Sequence, residues 1–100
     1  LFTKFDFVHG NHLQMINWAC LPTGKKFTSH YHQDMDEIFI VLNGKATIKI
    51  DNEQSDINKM KAVFIPAKSI HQMENVGNED VYYIAIGVSG KAKGKTITTR

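Results

Sequence analysis

Three histidines and one glutamate hold most of the chemistry this sequence can offer. His30 and His32 stand one residue apart, Glu37 follows five positions after His32, and His71 lies further along in FIPAKSIHQMEN. Residues two apart on a strand project from the same face, so the two imidazoles point together. Glu37 sits at an odd offset from them, which an unbroken strand would send to the opposite side. The intervening Gln33-Asp34-Met35-Asp36 is polar and reads as a turn. That turn predicts a hairpin, with Glu37 opening the adjacent antiparallel strand about 5 Å from the facing histidine pair. Two imidazoles and a carboxylate converging in this way suit a divalent first-row metal with open coordination positions. His71, distant in sequence, is placed to supply a fourth ligand. An H-x-H pair alone is more often a surface pair than a metal site, and a single loop histidine says less still. Their combination in a small β domain is what carries weight.

The elements that must position these residues are strands. LQMINWACL ends at Pro22-Thr23-Gly24, EIFIVL at Asn43-Gly44, ATIKI at Asp51-Asn52, AVFI at Pro66, and VYYIAIGV at Ser89-Gly90. Such short β-branched and aromatic runs, separated by turn residues, predict an all-β antiparallel sandwich or small barrel. Asn43-Gly44 is a strong hairpin signal, because both residues tolerate positive φ. Ala46, Ile48 and Ile50 alternate with Thr47 and Lys49, as in a strand with one wet face. No window has a helical stripe; SDINKMKAVF comes nearest and runs straight into a strand-like segment. Ile38 to Leu42 is apolar on both parities, so both faces of that strand are expected to be covered, the outer one by a second copy of the chain. One hundred residues suit a single domain. Its expected parts are an N-terminal arm over 1–12, a barrel core over 13–90 and a C-terminal tail over 91–100, with Thr96-Ile97-Thr98 as a short edge strand.

The spacing Gly24-x5-His30-x-His32-x4-Glu37-x6-Gly44 resembles the first sequence motif of the cupin superfamily, position for position. Met60-x5-Pro66-x-Lys68-x2-His71-x3-Asn75 is similar to the second motif. There the proline, histidine and asparagine match, while Met60 and Lys68 replace two glycines. The resemblance covers residues 24 to 75. It implies a conical antiparallel β-barrel of the jelly-roll or double-stranded β-helix type, dimeric in most cases. It also implies a metal held by His30, His32, Glu37 and His71 at the narrow interior. The metal is one of iron, manganese, nickel, cobalt, copper or zinc, which this ligand set does not distinguish. Three neutral imidazoles and one carboxylate leave a divalent ion near +1, favouring an anionic or chelating ligand such as a carboxylate, an enolate or dioxygen. Phe39 and Val41 share parity with Glu37 and should line the pocket, while Ile38, Ile40 and Leu42 face the other way. Lys68 is either a contact for an anionic substrate or a solvated loop lysine. In place of the lost glycine, Met60 implies a reshaped loop.

Other features point elsewhere or nowhere. The lone Cys20 excludes an intrachain disulfide and a multi-thiolate zinc site, and its apolar neighbours suggest a small buried hydrophobe. Trp18, Phe64 and Met73 read as core. Tyr31 should face away from the ligands, and one of Tyr82 and Tyr83 should face inward. His9 and His12 read as exposed loop histidines. GKAKGKT has three residues between its glycines where a phosphate-binding loop needs four. Eleven lysines are scattered, and the single arginine is Arg100, so no basic stripe for nucleic acid exists. No run of 18 apolar residues could span a membrane as a helix, and no secretory leader is visible, which favours a cytoplasmic protein.

Two functional classes remain. One is a metal-dependent enzyme acting on a small organic substrate, whether dioxygenase, isomerase, decarboxylase or lyase. The other is a non-catalytic module that binds a small molecule through its metal. No helix-turn-helix accompanies the barrel to suggest a regulator.

Overall fold

The computed structural model describes residues 12–89 and 96–98. Nine strands follow in order: β1 (His12–Leu21), β2 (His30–His32), β3 (Asp36–Asn43), β4 (Lys45–Ile50), β5 (Glu53–Asn58), β6 (Ala62–Ile65), β7 (His71–Asn75), β8 (Val81–Ser89) and β9 (Thr96–Thr98). Among the described residues there is no helix. The strands form two antiparallel sheets, one of order β1-β8-β3-β6 and one of order β5-β4-β7-β2-β9. Their inner faces enclose Leu21, Phe39, Val41, Ala46, Ile48, Ile57, Ile65, Met73, Val81 and Ala85. This is the expected all-β jelly-roll architecture.

Two of the expected hairpins do not form. Asn43-Gly44 joins β3 to β4, but those strands lie in different sheets, so the chain turns a corner there. Gly44 takes φ +96°, and a Cβ on it would lie 2.9 Å from Val81 Cγ2 and 3.0 Å from the Asp80 carbonyl oxygen. Glycine is needed at that corner for close approach as well as for φ. Likewise β2 and β3 occupy opposite sheets, β2 pairing with β7 and β9 and β3 with β6 and β8. Asp51-Asn52 does close a two-residue hairpin, with Ile50 opposite Glu53 and Asp51 at φ 54°. Its second strand, β5 (EQSDIN), is polar except for Ile57, which explains why hydrophobic patterning does not reveal it. The short edge strand expected at Thr96-Ile97-Thr98 is β9, paired with β2.

Parity works where pairing does not. Phe39 and Val41 are buried with Glu37, while Ile38, Ile40 and Leu42 are only half-buried on the outer face. Met73 is fully buried. Trp18 and Phe64, expected in the core, are exposed, and so is Cys20. All three lie on the outer side of the four-stranded sheet, whose apolar residues form two cross-strand rows: Ile16, Ile86, Ile38 and Phe64, then Trp18, Ile84, Ile40 and Ala62. Apolar neighbours in the sequence therefore did not mark a core position. His9 and the GKAKG stretch lie outside the described residues, as does the side chain of His12.

Candidate metal centre

His30 on β2 is the direct cross-strand partner of His71 on β7, so their side chains leave the five-stranded sheet on the same inner face. His32, two residues on, joins them. Glu37 comes from β3 on the opposing sheet, and its Oε1 lies 2.7 Å from His32 Nε2 and 3.0 Å from His71 Nε2. The carboxylate thus meets the imidazoles across the interior of the sandwich, and not across a hairpin. One ligand atom from each of His30, His32, Glu37 and His71 can be chosen so that all lie within 4.8 Å of one another.

Backbone carbonyls set the rings. His30 Nδ1 is 2.8 Å from the Thr28 oxygen and His71 Nδ1 is 3.0 Å from the Ser69 oxygen, each two residues upstream. An imidazole that donates its Nδ1–H to a carbonyl presents Nε2 as a lone pair, the tautomer a metal requires. His71 Nε2 and Glu37 Oε1 are buried, and neither has a hydrogen-bond partner. Two acceptors 3.0 Å apart repel unless a cation or a proton lies between them. The donor set, three imidazoles and one carboxylate around a common point, fits a divalent transition metal.

The electrostatics agree. Burial alone would raise the Glu37 carboxyl pKa, but the His32 and His71 imidazoles facing it outweigh burial and bring the group down to about 2. Burial lowers the pKa of His30; the Thr28 hydrogen bond and Glu37 oppose that shift, and the neighbouring His71 and His32 add to it. A neutral imidazole beside an ionised carboxylate is the state in which both can ligate.

The surroundings include residues that spacing alone did not find. Phe27, in no strand, has its ring 5.3 Å from that of His30, 6.2 Å from that of His71 and 6.1 Å from that of Phe39. Phe39 packs 5.9 Å from His71 and 5.3 Å from Tyr83. Tyr83 is the inward member of the tyrosine pair and half-buried, while Tyr82 is exposed. Burial first, then the charges of Glu37 and Cys20, raise the Tyr83 pKa. Val41 is sealed in the core. Lys68 is exposed, and its amide donates to the His32 carbonyl at 2.6 Å, tying its turn to the ligand strand. Asp36 Oδ1 accepts from the Ala67 amide at 2.8 Å and holds the same turn from the other sheet. Neither glycine replacement reshapes the backbone: Met60 at φ 65° and Lys68 at φ 72° adopt the left-handed conformation, as Gly24 and Gly44 do. Asn75 is a clamp, its Nδ2 donating to the carbonyls of Leu21 and Glu79 and its Oδ1 accepting from Gly77.

Comparison with known proteins agrees with this arrangement. The family model described as a cupin domain matches residues 17–87. The chain belongs to the cupin family. It is 35% identical over 65 residues to an uncharacterized protein of Methanocaldococcus jannaschii, covering 65% of this chain and 52% of that one. Among solved structures, a predicted oxalate decarboxylase from Thermotoga maritima superposes with TM-score 0.73 at 22% identity, over 89% of this chain and 76% of that one. A sugar phosphate isomerase candidate from Acidithiobacillus ferrooxidans gives TM-score 0.67 at 29% identity, over 73% and 48%. This cupin chain spans about half the length of its M. jannaschii relative and smaller shares of other curated relatives.

Proposed function

We propose that this cupin is a metal-dependent enzyme acting on a small organic molecule that carries a carboxylate or an enolisable carbonyl. His30, His32, Glu37 and His71 hold one divalent first-row metal ion. The observation that carries this reading is the set of four ligand atoms within 4.8 Å, three from buried residues and one from the half-buried His30. The site is thus formed on one side and reachable on the other. When bound, the ion supplies polarisation of a substrate oxygen or stabilisation of charge developing on it. The chain's own residues orient the substrate: Phe39 offers an apolar contact beside His71, Val41 backs it from the core, and Lys68 provides a cation for a substrate anion. The A. ferrooxidans protein, a sugar phosphate isomerase candidate at 29% identity, supports an enzyme of this class, and the T. maritima protein, a predicted oxalate decarboxylase at 22% identity, shares the fold.

The test is metal analysis of tag-free protein by plasma mass spectrometry, beside His30→Ala. Near-stoichiometric metal in the parent and its loss in the variant support the site; a parent that stays empty after incubation with iron, manganese, nickel, cobalt, copper and zinc refutes it. Turnover abolished by His71→Ala with the fold intact supports the enzyme. Ligand binding without turnover would instead make the chain a non-catalytic binding module.

The described strands make one domain, in which β9 (Thr96–Thr98) joins the expected barrel core, and it pairs with a second copy through the outer face of the four-stranded sheet. Trp18 is 72% exposed, Ile16 61% and Phe64 56%, in rows without a charged side chain. A flat apolar face of that kind is what association covers. Light scattering decides the point: a dimer that Trp18→Glu dissociates supports it, and a monomeric parent refutes it. The exposed Cys20 thiol is in keeping with a reducing, cytoplasmic setting.

A further inference from the structure

Met35 is buried although it belongs to no strand. Residues 33–35 join β2 to β3, so the ligands His32 and Glu37 flank this short connection. Gln33, Asp34 and Asp36 around it are polar, yet Met35 is only 6% exposed and stands outside the hydrophobic core cluster. Its place is over Gly87, which is the cross-strand partner of Glu37 on one side and of Met15 on the other. A Cβ on Gly87 would collide with Met35 Sδ and would lie 3.1 Å from Met35 Cε and 3.0 Å from Met15 Cγ. Facing residues of paired strands have Cα atoms about 5 Å apart, so the Met35 thioether lies on the inward face beside Glu37. Met15 next to it is half-buried, and its sulfur accepts from Asn17 Nδ2 at 3.4 Å. The connection is pinned to the turn before β7 from both sides. The Lys68 amide donates to the His32 carbonyl at 2.6 Å, and Asp36 Oδ1 accepts from the Ala67 amide at 2.8 Å. A shift of Met35 is therefore carried straight into two of the four ligand residues.

We propose that Met35 seals the metal centre on its Glu37 side and is the residue whose oxidation by peroxide releases the metal. The proposal rests on the metal-binding reading above and adds a regulation of that same site. With this side sealed, the half-buried His30 marks the approach, and hydrogen peroxide, small and neutral, enters there. A bound divalent ion supplies the Lewis acidity that activates a peroxide for oxygen transfer. The Met35 sulfur lone pair attacks one peroxide oxygen. An S–O bond forms, the O–O bond breaks, and the departing oxygen takes the proton and leaves as water. Sulfur loses two electrons and peroxide gains them, giving methionine sulfoxide. The product is polar where the thioether was apolar. Between Met35 and Gly87 there is no room for even one added carbon, and a buried sulfoxide oxygen without a donor is unfavourable. The connection then lifts off Gly87 and draws His32 and Glu37 away from His71. Reductases that act on methionine sulfoxide reverse the change.

Met60, 73% exposed, gives the test an internal reference. Peroxide acting from bulk solvent follows exposure and takes Met60 before Met35. Protein loaded with the metal it retains and chelator-treated protein each receive limiting hydrogen peroxide, followed by peptide mass mapping and metal analysis. In loaded protein, Met35 sulfoxide should form about fivefold faster than Met60 sulfoxide, and chelation should reverse that order. Metal should be lost in step with Met35 oxidation and rebound after treatment with methionine sulfoxide reductase. Met35→Leu, close in volume and without the sulfur, should keep its metal under the same peroxide. Met60 oxidised first in loaded protein overturns the proposal. So does a Met35 sulfoxide that leaves the metal bound, or a Met35→Leu protein that loses metal as fast as the parent. If Met35→Leu does not fold, the mapping and metal analysis of the parent decide. A parent that takes up no metal refutes the metal-binding reading and this proposal with it, whereas the other adverse results strike the proposal alone.

Discussion

Replacing Met60 and Lys68 by glycine should stabilise the protein. Both residues hold positive φ, 65° and 72°, and both are exposed, so truncation forfeits little packing. The left-handed conformation costs an L-residue about 1–2 kcal/mol. Glycine avoids that cost but loses about 0.5–1 kcal/mol through the greater freedom of the unfolded chain. The net gain is then about 0.5–1 kcal/mol at each site. The two positions lie in different turns, so their effects should add to about 1–2 kcal/mol. For a domain of this size that corresponds to a rise in Tm of about 4–16 °C. The backbone bonds from the Met60 amide to the Val41 carbonyl (2.7 Å) and from the Lys68 amide to the His32 carbonyl (2.6 Å) survive the substitution. The assay is thermal unfolding of the single and double variants in the presence of a chelator, with metal affinity measured alongside. Metal affinity should hold, because no ligand changes. A double variant with unchanged or lowered Tm would refute the claim that these turns store strain.

Three further outcomes follow from the same geometry. At metal concentrations about 100 times Kd, binding should add about 2.7 kcal/mol of stability, seen as a chelator-reversible rise in Tm that is absent in His71→Ala. Metal-free protein should weaken in acid. The lowered pKa of His30 favours folding above its unfolded value of 6.5, and that contribution is lost as pH falls through it. The lowered Glu37 value adds stability above 4.5 that disappears between 4.5 and about 2; a urea midpoint independent of pH from 8 to 4 would contradict this. Gly44→Ala should destabilise by roughly 2–3 kcal/mol, since it adds both a strained φ and a Cβ 2.9 Å from Val81, and denaturant titration reads it directly.

Most strands and the inward parity of β3 were legible in the sequence because they are local properties, and the ligand set was legible through its resemblance to the cupin motifs. Alternation along β4 marks its wet face, and the spacing of His30, His32, Glu37 and His71 identified the four residues that the fold brings together. Partner choice was not legible. A turn signal such as Asn43-Gly44 says that the chain bends, but whether the next strand pairs back or crosses to the other sheet depends on close contact with Val81, distant in sequence. The same limit applies to Glu37, which reaches the histidines from the opposing sheet. It applies to Trp18, Cys20 and Phe64, whose side of the sheet is set by register with β8 and β3. Phe27 carries no pattern at all; its place against His30 and His71 comes from two hydrogen bonds to β7. By itself the sequence determined most of the extended segments, the parity of residues within a strand such as β3 and which residue types can ligate. Only the tertiary structure decided what faces what, because sheet order rests on contacts between residues far apart in the chain.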